Sequence, residues 1–453
     1  MRSKQAVTDM TRGAIMPQLV RFAAPVLMGM LFQRIYNFAD VYIVGRWLGD
    51  EALAAVSICG SAMYLLFSMM MGLTTGVSVV IAQYYGAGNE EKVRETFGTS
   101  ISVALLATAL ITIPGVLLTR PLLRLLQTSD ALLPQAATYL SIIFAGSFST
   151  MLYNWISSVL RSLGNSVVPL AFLIISSVLN IVLDIVFIAV IPMGVAGAAL
   201  ATVLAQVISG VLCLIYALRI MPLLRISRSQ LRMNPAIARQ ILAYGIPTGL
   251  QMSIISISDM TLQSKINTYS TALVVAYGVC IKVEGVGWQI SEAIGSAVST
   301  FVGQNIGAGQ YSRVRRGVRC AYGIHLVCYG IVCPLIFAMA QPIMSAFTQS
   351  PESIAYGVEY MRTFIFFFLI GGTMCIFHNI LRASGDVKYT LLMGISEVIT
   401  RIGFTFLFTA LFGYRGLWWV SPLTWCCATG LGAMRYYSGK WEQIARKQQA
   451  QKA

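Results

Sequence analysis

Asn180 and Asp184 stand four residues apart inside an apolar stretch. On a helix, that spacing puts both side chains on one face. An amide and a carboxylate form an oxygen-only donor set, which suits a proton or a hard cation rather than a soft transition metal. Asp40 lies just beyond the first apolar stretch, and the whole chain holds only seventeen Asp and Glu residues. An ionisable group near a bilayer centre costs at least about 2.5–3.5 kcal/mol, so an acid kept there is paired or has a function. Two carboxylates brought together can share a proton or be neutralised by Na⁺. Asp184 has no cation within one turn on its own helix. Three further acids stand out: Asp259 in the seventh apolar stretch, and Glu284 and Glu292 in the eighth. With Trp288 they form a candidate substrate cleft in which negative charge would attract a cationic cargo. Glu397 with Arg401 and Glu359 with Arg362 have i, i+4 and i, i+3 spacing and read as self-contained ion pairs.

Other chemistries find no support. The two histidines, His325 and His378, fall in different stretches, and the nine cysteines contain no C-x-x-C, so zinc spacing is missing. No His-Glu or Ser-Lys constellation points to a catalytic site, so no enzyme activity, catalytic residue or cofactor is expected. The Gly86-Ala-Gly88 and Gly307-Ala-Gly309 loops lack the Lys-Ser/Thr of a phosphate-binding loop and read as sharp turns. With no nucleotide-binding motif, any transport must draw on an ion gradient.

The elements that would position these groups are membrane helices. Of 453 residues, 57% are apolar and 11% charged, against about 25% charged in soluble domains. Mean hydropathy is +0.73. Twelve apolar stretches, from 14–38 to 416–437, are each long enough to cross a hydrocarbon core. The expected fold is all-α: twelve transmembrane helices in two six-helix lobes.

The chain is also written twice. Leu160-Arg-Ser-Leu-Gly-Asn165 matches Leu381-Arg-Ala-Ser-Gly-Asp386, and Gln83-Tyr-Tyr-Gly-Ala-Gly-Asn89 matches Gln304-Asn-Ile-Gly-Ala-Gly-Gln310, both 221 residues further on. Six helices per half make the repeats parallel, with a pseudo-two-fold axis expected along the membrane normal. The lobes are expected at 1–218 and 240–453, joined by a basic linker at 219–239. Asn180 and Asp184 correspond to Arg401 and Thr405 in the second half, so the acid is not part of the duplicated scaffold.

Net charge is +15. Its distribution suits the positive-inside rule rather than nucleic acid. Five arginines lie in 219–239, others at Arg313, Arg315, Arg316 and Arg319, and a tail carries Lys440, Arg446, Lys447 and Lys452. Both termini and the linker are therefore expected in the cytoplasm of a multi-pass protein, with the basic face against anionic lipid. Pro25 and Pro247 interrupt the first apolar stretch of each half. A proline removes a helix hydrogen bond, which makes Pro25 a candidate hinge coupled to Asp40.

Several segments together resemble the multidrug and toxic compound extrusion (MATE) family. They are Asn37-Phe-Ala-Asp-Val-Tyr-Ile-Val-Gly45, Gly49-Asp-Glu-Ala-Leu-Ala-Ala55, Leu179-Asn-Ile-Val-Leu-Asp184 and Phe301-Val-Gly-Gln-Asn-Ile-Gly-Ala-Gly309. The resemblance spans residues 14–437 and implies a secondary antiporter of the bacterial plasma membrane, a monomer without cofactor. Such a protein exports amphiphilic, mainly cationic compounds in exchange for H⁺ or Na⁺. It also implies a coupling-cation site at Asp40, Asn180, Asp184 and Thr202, with Asp40 and Asp184 as metal ligands if the ion is Na⁺. One branch of the family carries a Glu ten residues after the Gly of Gly-x-Pro in the seventh helix. Here that place is Ile255, which favours the DinF-like side. The alternative on the same architecture is a flippase for a lipid-linked precursor, which would favour a cationic cleft.

Overall fold

The computed structural model describes residues 8–227 and 230–452. The first seven residues, Arg228 of the basic linker and the side chain of Lys452 lie outside the described residues. Every described element is helical. The first half contains α1 (Ile15–Leu48), α2 (Asp50–Gly86), α3 (Glu90–Leu117), α4 (Thr119–Leu125), α5 (Leu133–Ala145), α6 (Ser147–Ser162), α7 (Val167–Asp184) and α8 (Val195–Ile220). The second contains α9 (Pro235–Ile266), α10 (Thr271–Gly307), α11 (Tyr311–Phe347), α12 (Pro351–Phe364), α13 (Phe368–Ala383), α14 (Val387–Phe412), α15 (Tyr414–Tyr437) and α16 (Lys440–Lys452).

The repeat is visible in these bounds. Both α2 and α10 have 37 residues, both α6 and α13 have 16, and each pair begins 221 residues apart. The repeated loops are helix C-caps. Gly88 and Gly309 sit at φ +71°, Gly164 at +84° and Gly385 at +90°. In each, the glycine N–H and the next N–H reach back to carbonyls of the last turn, as in Gly309 to Ile306 (2.9 Å) and Gln310 to Asn305 (2.8 Å). That crossed pair is the Schellman arrangement, and its left-handed position favours glycine. The expected structural turn is thus observed, at the second glycine of each Gly-Ala-Gly.

Among the described residues, ten helices are long and apolar enough to cross a membrane. An eleventh arises if α5 and α6, bent by 45° at Gly146, count as one span. The stretch expected at 416–437 corresponds to α15, which is not among them. Its buried face mixes the polar Ser421 and Thr424 and the large Trp418 and Trp425 with Leu417 and Val420. Leu110, Leu117, Leu125 and Val190 are among the many large apolar side chains left exposed, as expected of a chain whose outer face meets lipid.

Packing divides the chain into two units. One comprises Met1–Asp9 and Ala24–Gly249, the other Met10–Ala23 and Leu250–Ala453. The chain passes between them inside α1, beside Pro25, and inside α9, two residues after Pro247. The described residues of the segment 219–239, expected as a linker, belong to the first unit. Asn234 explains this: its N–H donates to Thr99 Oγ1 (3.1 Å), its amide to Glu95 Oε2 (3.2 Å), and its Oδ1 accepts from Ala236 N (3.0 Å) at the start of α9. The beginning of α9 then lies against α2, where Gly72 and Gly76 meet Gly245 and Gly249 backbone to backbone. A Cβ at Gly72 would overlap Gly249 N and Gly245 O.

The first unit's core gathers Ile43, Val44, Leu123, Leu140, Phe144 and Ile188. The second gathers Tyr360, Phe364, Phe368 and Trp418.

Candidate cation site

The first unit brings Asp40 on α1, Asn180 and Asp184 on α7, and Thr202 on α8 to one place. Asp184 is the last residue of α7, and Ile185–Val190 continue as a π-helix. A π turn carries an extra residue and recurs at functional sites. The corresponding α14 runs unbroken from Val387 to Phe412, with Thr405 in the equivalent place. The change of helix type is therefore confined to the half that carries the acid.

Asp184 is 0% exposed and Asn180 2%, while Asp40 and Thr202 are partly buried. The Asn180 amide donates to Thr202 Oγ1 at 3.4 Å. The carboxyls of Asp40 and Asp184 lie within hydrogen-bonding reach of each other. Ionised carboxylates only accept hydrogen bonds, so this pair needs a proton or a cation between them. Four buried oxygens have no donor among the described residues: Asp40 Oδ1, Asp184 Oδ1 and Oδ2, and Asn180 Oδ1. No Arg or Lys pairs with either acid among the described residues. A buried acceptor without a donor is costly. An oxygen-only cluster of this kind fits a proton or Na⁺, with Asp40, Asp184, Asn180 and Thr202 as the holding groups. No group of three or more His, Cys, Asp or Glu forms a metal cluster among the described residues.

Two tyrosines complete the surroundings. Tyr36 on α1 and Tyr139 on α5 both lie within electrostatic range of the two carboxylates. Tyr139 is 6% exposed. The sequence reading gives it no role, because a single tyrosine in an apolar stretch carries no spacing signal. Only the packing of α5 against α2, α3 and α8 brings it there.

The residues expected to form a substrate cleft lie in the second unit: Glu284, Trp288 and Glu292 follow at four-residue spacing along α10, and Asp259 lies on α9. Glu284 accepts from Trp288 Nε1 (3.3 Å) and Tyr360 Oη (3.2 Å), so its carboxylate is held within an aromatic cluster. The Trp288 ring stands edge-on to Trp425, with centroids 5.4 Å apart. Asp259 pairs with Arg401. The Arg401 side chain is 8% exposed against 57% for Asp259, so the acid serves to neutralise a buried guanidinium. Glu292 is exposed on α10 and lies within electrostatic range of Arg382.

The expected local ion pairs are replaced by longer-range ones. Arg401 turns to Asp259 instead of Glu397, and Glu397 faces His378 Nε2 at 3.8 Å. Glu359 pairs with Arg415 at 3.0 Å, while Arg362 stacks over Phe337 at 5.0 Å. Arg382, in the last turn of its helix, donates not to that helix end but across to Gln251 Oε1 at 3.2 Å, and Gln251 Nε2 lies 3.1 Å from His378 Nε2. The helix partner one turn away loses because α9, α13 and α14 pack closely enough to offer buried partners.

Comparison with known proteins agrees with this architecture. The MatE family profile matches residues 25–186 and again 247–407, once in each half. Probable multidrug resistance protein YpnP of Bacillus subtilis (strain 168) is 31% identical over 440 residues, covering 96% of this chain and 98% of that protein. Multidrug export protein MepA of Staphylococcus saprophyticus is 22% identical over 413 residues, 90% of each chain. Among solved structures, a MATE protein in its bent conformation superposes with a TM-score of 0.90 at 23% identity, covering 99% of both chains. A MOP superfamily transporter from Pyrococcus furiosus superposes at 0.89 and 23%, covering 96% of this chain and 98% of that one. These two superpositions concern the fold. The family profile, found once in each half of a duplicated helical chain, and the extended identity to YpnP establish that the chain belongs to the MatE family.

Proposed function

We propose that this protein is a secondary antiporter of the bacterial plasma membrane that exports bulky amphiphilic, mainly cationic organic compounds in exchange for inward H⁺ or Na⁺. The observation that carries the ion-coupled reading is the set of four buried, donor-less oxygens on Asp40, Asn180 and Asp184. A binding site for a fixed structural contact would satisfy these atoms internally, whereas an exchangeable cation satisfies them only when bound. The efflux reading is supported by relatives named for multidrug resistance and multidrug export. A preference for cations follows from Glu292, which stays exposed on α10. The coupling ion and the cargo bias different openings of the protein, and mutual exclusion between them gives antiport. Both termini face the cytoplasm, as the arginine and lysine distribution requires. The protein acts as a monomer, with membrane lipid and small amphiphiles as its partners.

The test is transport in proteoliposomes under separately imposed Na⁺ and pH gradients. Export driven by one or both gradients in the native chain, and by neither in Asp184→Asn, supports the reading. Gradient-independent export, or equal rates in the two chains, refutes it. A flippase on the same architecture would carry a lipid-linked phosphate instead. Fluorescent cationic dyes and a labelled lipid-linked phosphate in the same vesicles separate the two.

A further inference from the structure

The second unit carries a recess of about 380 Å³ lined by Tyr311, Ser312, Arg315, Arg316, Arg319, Glu442 and Arg446. Nothing in the antiport mechanism uses it. Its composition is lopsided, with four guanidiniums against one carboxylate. Three of the arginines share a face of α11, and the fourth comes from α16. Glu442 engages two of them: Arg315 Nη2 donates to Oε2 at 2.7 Å, and Arg446 Nη2 donates to Oε1 at 2.8 Å. Arg316 and Arg319 are exposed and have no carboxylate partner among the described residues. The recess also opens on the first turn of α11, at Tyr311 and Ser312, where free backbone N–H groups and the helix dipole favour an anion. Uncompensated positive charge, a cavity and a helix N-terminus thus converge from three independent features.

We propose that this recess is a phosphate-binding site that joins α11 to the C-terminal helix α16. Arginine forks suit a phosphate group, whose terminal anionic oxygens (three in a monoester, two in a diester) accept paired N–H donors from more than one guanidinium. The ligand chemistry is a phosphate monoester or diester, carried by an anionic lipid headgroup or free in solution. Either source would draw Arg446 and Arg316 toward one anion and hold α16 in place. That helix is already tied to both repeated turns of the second half: Gln449 Nε2 donates to Gly307 O (3.1 Å) and Gln448 Nε2 to Gly385 O (3.4 Å). Occupancy would therefore tighten the caps of α10 and α13 from the membrane surface.

Hydrogen exchange of the α16 amides in the purified full-length chain tests this, since it needs no transport. One arm adds inorganic phosphate against chloride at matched ionic strength, in detergent. The other compares nanodiscs of phosphatidylcholine alone with nanodiscs containing phosphatidylglycerol. The expected result is several-fold slower exchange in at least one arm, lost in R316Q/R319Q and largely restored in R316K/R319K. Arg316 and Arg319 hold no ion pair among the described residues, so neither substitution breaks one there. Protection with phosphate assigns a free anion, and protection with phosphatidylglycerol alone assigns a lipid headgroup. No protection in either arm, or equal protection in R316Q/R319Q, overturns the proposal.

Discussion

At the scale of single residues, the acids separate by whether something in the protein already answers their charge. Asp259 has Arg401, and Glu284 has Trp288 and Tyr360. Among the described residues, no cation answers Asp40 and Asp184, which lie beside each other. Asp184→Asn is therefore expected to abolish ion-coupled export while thermal stability holds or rises. It removes a burial cost on the order of 2.5–3.5 kcal/mol for a membrane-embedded charge. Transport assays together with a melting curve check both halves of that statement, and a fall in Tm with export intact would contradict it. Glu284→Gln and Glu292→Gln should differ in kind. Glu284→Gln weakens two hydrogen bonds to a charged acceptor, so it lowers the melting temperature, with about 1.5–3 kcal/mol at stake per bond lost outright. Glu292→Gln leaves stability unchanged and reduces export of cationic dyes more than that of neutral ones. The reverse pattern in paired melting and dye-competition measurements would reassign the two glutamates.

At the scale of elements, the π-helix after Asp184 and the docking of α16 each carry a consequence. The extra residue of Ile185–Val190 sets where α7 re-enters the packing below the acid. Deleting Val186 should restore α-helical register, keep helical content by circular dichroism, and impair ion coupling by rotating Asp184 away from Asp40. Retained coupling in that deletion would make the π turn incidental. On α16, desolvation alone would raise the Glu442 carboxyl. Hydrogen bonds from Arg446 and Arg315 outweigh it and hold the group below its ordinary 4.5. A carboxyl depressed in the folded state stabilises it above its unfolded value, and that contribution fades as pH falls through the folded one. Protection factors of the α16 amides, corrected for the intrinsic pH dependence of exchange, should therefore be flat through the neutral range and fall only below about pH 4.5. In Glu442→Gln the acid-dependent step should vanish.

At the scale of the whole molecule, each packing unit takes part of a helix that begins or ends in the other: Ile15–Ala23 of α1 and Leu250–Ile266 of α9 both belong to the second unit. Pro25 and Pro247 stand at these transitions, which is where a missing backbone hydrogen bond makes a helix easiest to bend. The beginning of α9 is secured to the first unit by the glycine crossing with α2. Gly72→Val is expected to destabilise by about 1–3 kcal/mol, the usual range for overpacking. The obstacle there is backbone, which cannot swing aside as a side chain would. A lowered Tm with Gly60→Val unaffected, where a Cβ meets nothing within 4 Å, would confirm that the crossing is the cause.

What the sequence determined by itself is the part governed by neighbours along the chain. The duplication at 221 residues, the left-handed glycines of the repeated turns, the apolar spans and the shared face of Asn180 and Asp184 all follow from local sterics and periodicity. The confinement of the acid to one half was legible too, because it needed only an alignment of the two halves. The choice of partners was not. Whether Arg401 meets Glu397 or Asp259, or Arg382 its own helix end or Gln251, depends on how closely α9, α13 and α14 approach. Tyr139 reaches the acid pair only through the position of α5, and the passage between units at Ala23 and Gly249 depends on which surfaces bury most. The tertiary structure decided these matters, because burial makes an unsatisfied charge or polar atom costly and so selects partners by proximity in space rather than in sequence.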